Sequence, residues 1–160
     1  MKVQDFMISD VYVAHLDQTL SEVMEMLARQ NVGGMPVVDH EGKLLSMISD
    51  GDILRALKPK SRHMYDFFSF VFYEEQAEFE EVIRHTGATP LRELLPKRIK
   101  TYTVSPQDEM EHALGLLAKH HFKKLPVIDE QQHVVGIISR GDIIKKIRNA
   151  ILPQLQNDQR

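Results

Sequence analysis

Cysteine is absent from all 160 residues, which excludes a disulfide framework and thiol chemistry, and fits a reducing compartment. No apolar run approaches the roughly 18 residues that a membrane-spanning helix needs. The opening Met1-Lys2-Val3-Gln4-Asp5 lacks the apolar stretch of a secretory signal. The eight histidines, His120-His121 among them, show neither His-x-x-x-His nor His-Glu-x-x-His spacing, so no metal site is expected. No Gly-x-x-x-x-Gly-Lys-Ser/Thr loop is present for phosphates and no Gly-x-Ser-x-Gly elbow for a nucleophile. Glu74-Glu75 and Glu80-Glu81 fall in a charge-rich helical pattern that solvation explains better than acid–base work. A formal charge of −3 gives no field that would favour nucleic acid or an anionic membrane. The expectation is a soluble cytoplasmic chain with no catalytic residues, no nucleic-acid partner and no membrane partner.

What is present is a segment written twice. With 42% hydrophobic and 27% charged residues the chain is globular rather than disordered, so the repetition is that of a folded unit. Met35-Pro36-Val37-Val38-Asp39 leads to Ile48-Ser49-Asp50-Gly51-Asp52-Ile53. Leu125-Pro126-Val127-Ile128-Asp129 leads to Ile138-Ser139-Arg140-Gly141-Asp142-Ile143. The shift is a constant 90 (126 less 36) from Val11/Thr101 to Leu57/Ile147, with no gap.

The first copy reads as a short strand Val11-Tyr12-Val13, then a helix. Thr19 with Glu22 three residues on is a capping-box start, and Leu20, Val23, Met24 and Leu27 make one apolar face. Asn31 and Gly33-Gly34 stop that helix. Val37-Val38 is a buried strand, Asp39 to Gly42 a turn and Leu44 to Ile48 the returning strand. Ser49 opens a second helix carrying Ile53, Leu54 and Leu57, and Pro59 ends it. In the second copy Thr101 to Val104 is the strand, Asp108 with Glu111 the helix start, Val127-Ile128 and Val134 to Ile138 the hairpin, and Gly141 to Ile151 the closing helix. The fold class is α/β (α+β), built from two β-α-β-β-α units that pack on each other because neither buries its sheet alone.

The expected domains are repeat 1 at 1–58, a connector at 59–90, repeat 2 at 91–151 and a polar tail at 152–160. The connector concentrates Tyr65, Phe67, Phe68, Phe70, Phe72, Tyr73 and Phe79 ahead of an acidic run, Glu74 to Glu81. One or two helices are expected there, covering the core or meeting a partner.

Each Ser-x-x-Asp, Ser49/Asp52 and Ser139/Asp142, supports two readings. Ser at an N-cap with Asp three residues on is an ordinary helix opening. The same geometry suits a ligand: free N–H groups and a hydroxyl for phosphate, and a carboxylate one turn on for ribose hydroxyls.

On these residues the chain resembles a tandem pair of cystathionine-β-synthase (CBS) domains, a Bateman module. The hydrophobic-Pro-Val-hydrophobic-Asp string, the turn, and the two aliphatics before Ser-x-x-Asp-Ile stand complete in both halves. The resemblance implies a pseudo-twofold pair of repeats, a homodimer, and an adenosine-containing ligand in the clefts between repeats, such as AMP, ADP, ATP or cyclic di-AMP. With no enzyme attached, it implies a free-standing regulatory module acting on a partner protein in trans. The other reading is a structural or interaction protein, a dimer scaffold with empty clefts.

By the same resemblance each cleft joins one Ser-x-x-Asp to the residues before the other repeat's Pro. The first cleft would take Ser49, Asp52, Met47 and Ile48 with Ile99, Thr101, Lys123 and Lys124. The second would take Ser139, Arg140, Asp142, Ile137 and Ile138 with Val11, Val13, Gly33 and Gly34. The segments Ile8 to Val13 and Ile99 to Thr103 would contact the adenine. The first cleft is then basic, and the second neutral, with Arg140 as its one nearby cation. Ser46 stands where the second repeat has Gly136, a side chain that would narrow the first cleft.

Overall fold

The alternation of apolar β-branched runs with Asp-led turns dictates two hairpins, and a computed structural model, which describes residues 1–58, 71–96 and 100–153, contains both. Strand β1 is Ala14–His15, β2 is Gly34–Val38 and β3 is Leu44–Ser49, forming a sheet in the order β1-β2-β3. Strand β4 is Lys124–Ile128 and β5 is Val134–Ser139, an antiparallel pair with Leu125 opposite Ile138 and a register shift between Val127 and Ile128. Helices α1 (Leu20–Gln30), α2 (Asp50–Leu57), α3 (Val71–Gly87), α4 (Leu91–Leu94), α5 (Met110–Lys119) and α6 (Arg140–Lys146) complete the described elements, with a 3₁₀ turn at Val3–Asp5 and a π-helical turn at Ile147–Ile151. Both helices and strands serve the core, as an α+β fold requires.

The chain divides into two compact units that cut across the repeats. One contains Met1–Val13, Pro36–Met47 and Lys100–Arg160; the other contains Ala14–Met35 and Ile48–Ile99.

In the first unit the core joins Val3 and Phe6 to Val104, Met110, Leu117, Leu125, Val127, Ile138 and Ile143. The chain's opening is docked by backbone bonds: Val3 N–H to Asp108 O (2.9 Å), Gln4 N–H to Pro106 O (3.1 Å), and Met110 N–H to Met1 O (2.9 Å). Ile8 and Ile137 then exchange both of their backbone bonds at 2.9 Å. This crossing explains Gly136: a Cβ there would stand 2.5 Å from Met7 Sδ and 3.3 Å from Ile8 O. The two hairpin turns also meet in this unit, through Leu44 N–H to Gln132 O (3.0 Å) and Val134 N–H to Gly42 O (3.2 Å). In each turn an Asp carboxylate accepts two backbone N–H groups at 2.9 Å: Asp39 from Glu41 and Lys43, Asp129 from Gln131 and His133.

In the second unit α1 buries Leu20, Val23 and Leu27 and ends on Asn31 in the left-handed region (φ 51°). Helix α3 packs against α1 and α2. Its terminal Gly87 lies so close to α1 that a Cβ would be 2.5 Å from Ser21 Oγ. Leu91, fully buried, follows with Leu91 N–H to Gln18 O (2.9 Å) and Arg92 N–H to Leu16 O (3.1 Å). These bonds match those of Val3 and Gln4 in the first unit, with Leu91 in the place of Val3 and Gln18 in the place of Asp108. Each unit is thus closed by the opening segment of the other repeat.

Several expectations are corrected. The first strand is Ala14–His15 rather than Val11–Val13: Ala14 is fully buried whereas Tyr12 is 42% exposed, so the inward alternation begins at Ala14. Thr101 to Val104 contributes one parallel bridge, Val104 to Val127, and no longer strand. Helix α5 is capped at Glu109, not Asp108, whose carboxylate turns back to accept Ser105 N–H at 2.8 Å. The repeat's own register places Glu109 where Thr19 stands, but Glu109 makes no side-chain cap bond. The closing helix starts at Arg140 and passes into the π-helical turn at Ile147. Of the connector, α3 is described, and the short α4 follows at the start of the second repeat; Tyr65 to Phe70, Pro59 and the tail from Gln154 lie outside the described residues.

Candidate functional site

The residues before each Pro lie beside the Ser-x-x-Asp of their own repeat. Gly33 O accepts Asp50 N–H at 2.9 Å, and Lys123 O accepts Arg140 N–H at 3.1 Å. Lys124 stands opposite Ser139 in the β4–β5 ladder. The lysines therefore sit at the start of α6 and the glycines at the start of α2. Gly34 is required there for close approach: a Cβ would fall 2.9 Å from Ile48 O and 3.3 Å from Ser49 Cα.

The two Ser-x-x-Asp ends differ in how completely they are closed. At α2, Ser49 is the N-cap: its hydroxyl accepts Asp52 N–H (3.3 Å) and donates to Asp52 Oδ2 (2.8 Å), and Ser49 N–H donates to the same oxygen (2.9 Å). The other carboxylate oxygen, Oδ1, accepts from Arg55 at 2.6 Å. Burial pushes the Asp52 carboxyl up, but the Arg55 guanidinium and the Ser49 hydroxyl and N–H outweigh it and hold it below the usual value.

At α6, Ser139 caps in the same way, accepting Asp142 N–H at 3.1 Å and donating to Asp142 Oδ2. The resemblance ends there. Among the described residues Asp142 Oδ1 has no hydrogen-bond partner. Asp142 lines an open cavity of about 270 Å³. Its apolar side is Phe6, Met7 and Ile8, of which Ile8 is 43% exposed. Its polar side is Asp142, Lys145, Lys146 and Asn149, spaced along one face of the closing helix beside Ala150. Lys146 donates its ammonium to Asp5 O at 2.6 Å. Chemically the lining combines apolar side chains, a carboxylate with one oxygen unpartnered among the described residues, and two cationic donors.

The reading of a neutral second cleft left the two lysines on Asp142's own helix out of account. Positive charge reaches Asp142 from its own helix, at the third and fourth residues after it. Arg140, the cation expected there, instead donates to His120 O at 2.6 Å.

Other candidates fall as follows. Ile48 and Ile138, which the resemblance assigned to the clefts, are core residues at 2% and 0% exposure, and Ile137 is buried beneath its backbone pairing with Ile8. Met47 is half-buried in β3. Val11 and Val13 are half-buried and do not line the cavity, whereas Ile8, at the other end of their segment, does. Thr101 holds a buried Oγ1 with no hydrogen-bond partner among the described residues. Ile99 lies outside the described residues. Ser46 is buried and donates to Met47 O at 3.1 Å, a local satisfaction of its hydroxyl.

Sequence reasoning passed over Phe6, Met7, Lys145, Lys146 and Asn149. The last three were recoverable, since they follow Asp142 at helical spacing. Phe6 and Met7 carried one indirect signal, the Gly136 that their crossing demands. Among the described residues no cluster of His, Asp or Glu is placed to hold a metal ion, and no helix is long and apolar enough to cross a membrane.

A family model described as the CBS domain matches residues 3–59 and again 91–149. A CBS domain-containing protein of Bacillus subtilis, YhcV, is 28% identical over 141 residues, covering 88% of this chain and 81% of the relative. Among solved structures, AcuB from Vibrio cholerae aligns with a TM-score of 0.72 at 24% identity, covering 99% of this chain and 96% of that one. The Arabidopsis thaliana protein CBSX2 in complex with AMP aligns with a TM-score of 0.68 at 23% identity, covering 92% and 96%. At these identities the structural neighbours speak to the fold.

Proposed function

The chain belongs to the CBS-domain family, with two copies of the domain, and from that premise we propose that it is a regulatory module holding an adenosine-containing ligand in the cavity beside Asp142. One observation carries the reading: of the two equivalent carboxylates, Asp142 keeps an oxygen without a partner among the described residues, and Asp142 lines a cavity whose other lining residues include Phe6, Met7 and Ile8. Ribose hydroxyls would donate to that oxygen, and the base would lie on Met7 and Ile8. That a solved neighbour of the same fold holds AMP supports the ligand class. The protein performs no chemistry on its ligand. It acts as a cytoplasmic homodimer on a partner protein, and the ligand switches it only by binding two arrangements with different affinity.

The Asp52 end favours the second reading, a structural helix opening, because Ser49 and Arg55 already occupy both carboxylate oxygens. A ligand there would have to displace Arg55.

Calorimetric titration of the purified, ligand-free chain with AMP, ADP, ATP, S-adenosylmethionine, NADH and cyclic di-AMP tests the proposal. Binding by at least one, lost on Asp142→Ala, is the expected result. Absence of heat with all six would leave only the scaffold reading.

A further inference from the structure

Resting on the reading that the Asp142 cavity holds an adenosine group, we infer that its ligand carries a phosphate, and that Lys145 is the residue that selects it over neutral and cationic adenosine compounds. Arg55 and Lys145 are equivalent positions, each three residues beyond the Asp of its Ser-x-x-Asp. Arg55 closes on Asp52 at 2.6 Å and neutralises it. Lys145 makes no ion pair among the described residues, and it lines the cavity instead.

Lys146 shares the wall but already donates to Asp5 O. Asp142 has one oxygen engaged by the Ser139 hydroxyl. The lining thus holds two lysines and one aspartate, an excess of positive charge. A phosphate neutralises that excess, while a sulfonium adds to it. The apolar side formed by Phe6, Met7 and Ile8 keeps part of the site from bulk water, where these charges would be screened more strongly. Lys145 is exposed, so replacing it leaves the core intact.

The test is calorimetric titration of the full chain and of K145Q with adenosine, AMP and S-adenosylmethionine. In the unmodified chain AMP binds about tenfold tighter than adenosine, the scale of one charge-assisted hydrogen bond, and S-adenosylmethionine binds more weakly than adenosine. In K145Q the preference for AMP shrinks to about threefold or less, as expected for one lost contact. Adenosine or S-adenosylmethionine binding as tightly as AMP, or K145Q keeping the full preference, overturns this inference and leaves the adenosine site standing. Failure of all three to bind overturns this inference, and the adenosine reading falls with it only if ADP, ATP, NADH and cyclic di-AMP also give no heat.

Discussion

Asp52 and Asp142 stand at equivalent positions and end helical caps of the same kind, yet their second oxygens have different fates. Arg55 completes the ring around Asp52. Lys145, a shorter fork-less cation, leaves Asp142 open to the cavity. The closed pair has a consequence for acid stability. The folded carboxyl of Asp52 is held below its ordinary value, so in the unfolded chain it takes up a proton first. Its contribution is therefore complete above the usual carboxylate range of about 4 and fades as pH falls through the lower folded value. Urea denaturation of the unmodified chain and Asp52→Asn should show a stability gap at pH 7 that narrows below about pH 4. A gap that persists unchanged at pH 2.5, or widens there, would refute this assignment.

At the scale of elements, helix α1 and helix α5 occupy the same place in the two repeats and start differently. Thr19 caps α1 with a full box, Thr19 Oγ1 accepting Glu22 N–H and Glu22 returning to Thr19 N–H at 2.7 Å. Glu109 caps nothing; its carboxylate lies in exposed ion pairs with Lys2 and the terminal ammonium. Thr19→Ala should cost about 1 kcal/mol, and Glu109→Ala a few tenths, as exposed pairs do. Equal costs in thermal denaturation would show that the cap bond is not what separates them.

These helices also show what was legible beforehand. The 3.6-residue spacing at Leu20, Val23 and Leu27 and the Thr19/Glu22 pair gave α1 to the residue, because both signals are local. The Asp-x-Glu-Gly turn after β2 and the Ser49 start of α2 were equally local. The start of α5 was misplaced because Asp108 offers a better cap chemically than Glu109, and only the backbone direction set by Ser105 turns it away. The strand at Val11–Val13 failed for a related reason, since β-propensity is realised only where a partner strand supplies the ladder. The cavity was half legible: Asp142 through its motif, Lys145 and Lys146 through helical spacing, but Phe6 and Met7 only through long-range pairing at Ile8 and Ile137.

For the whole molecule, the sequence repeat and the compact unit are different objects. Val3 and Phe6 lie ahead of the first β-α-β-β-α run, yet both belong to the core around α5, β4 and β5. Leu91 lies ahead of the second run and is fully buried at the start of α1. Phe6→Ala should cost about 3–5 kcal/mol and Leu91→Ala about 2–5 kcal/mol, the range for truncation of buried side chains. Losses under 1 kcal/mol would mean these opening segments rest on the surface rather than complete a core.

The docking of residues 1–8 also builds the apolar wall of the Asp142 cavity, so the unit's architecture and its binding site have one origin. The most direct measurement is an AMP titration by calorimetry of the unmodified chain, Asp142→Ala and Asp52→Ala, each first shown to be folded. Binding should weaken by at least about tenfold on loss of the Asp142 carboxylate, the scale of its charged hydrogen bonds, and hold within about threefold for Asp52→Ala. No binding by the unmodified chain, or loss at Asp52 with retention at Asp142, would contradict the account.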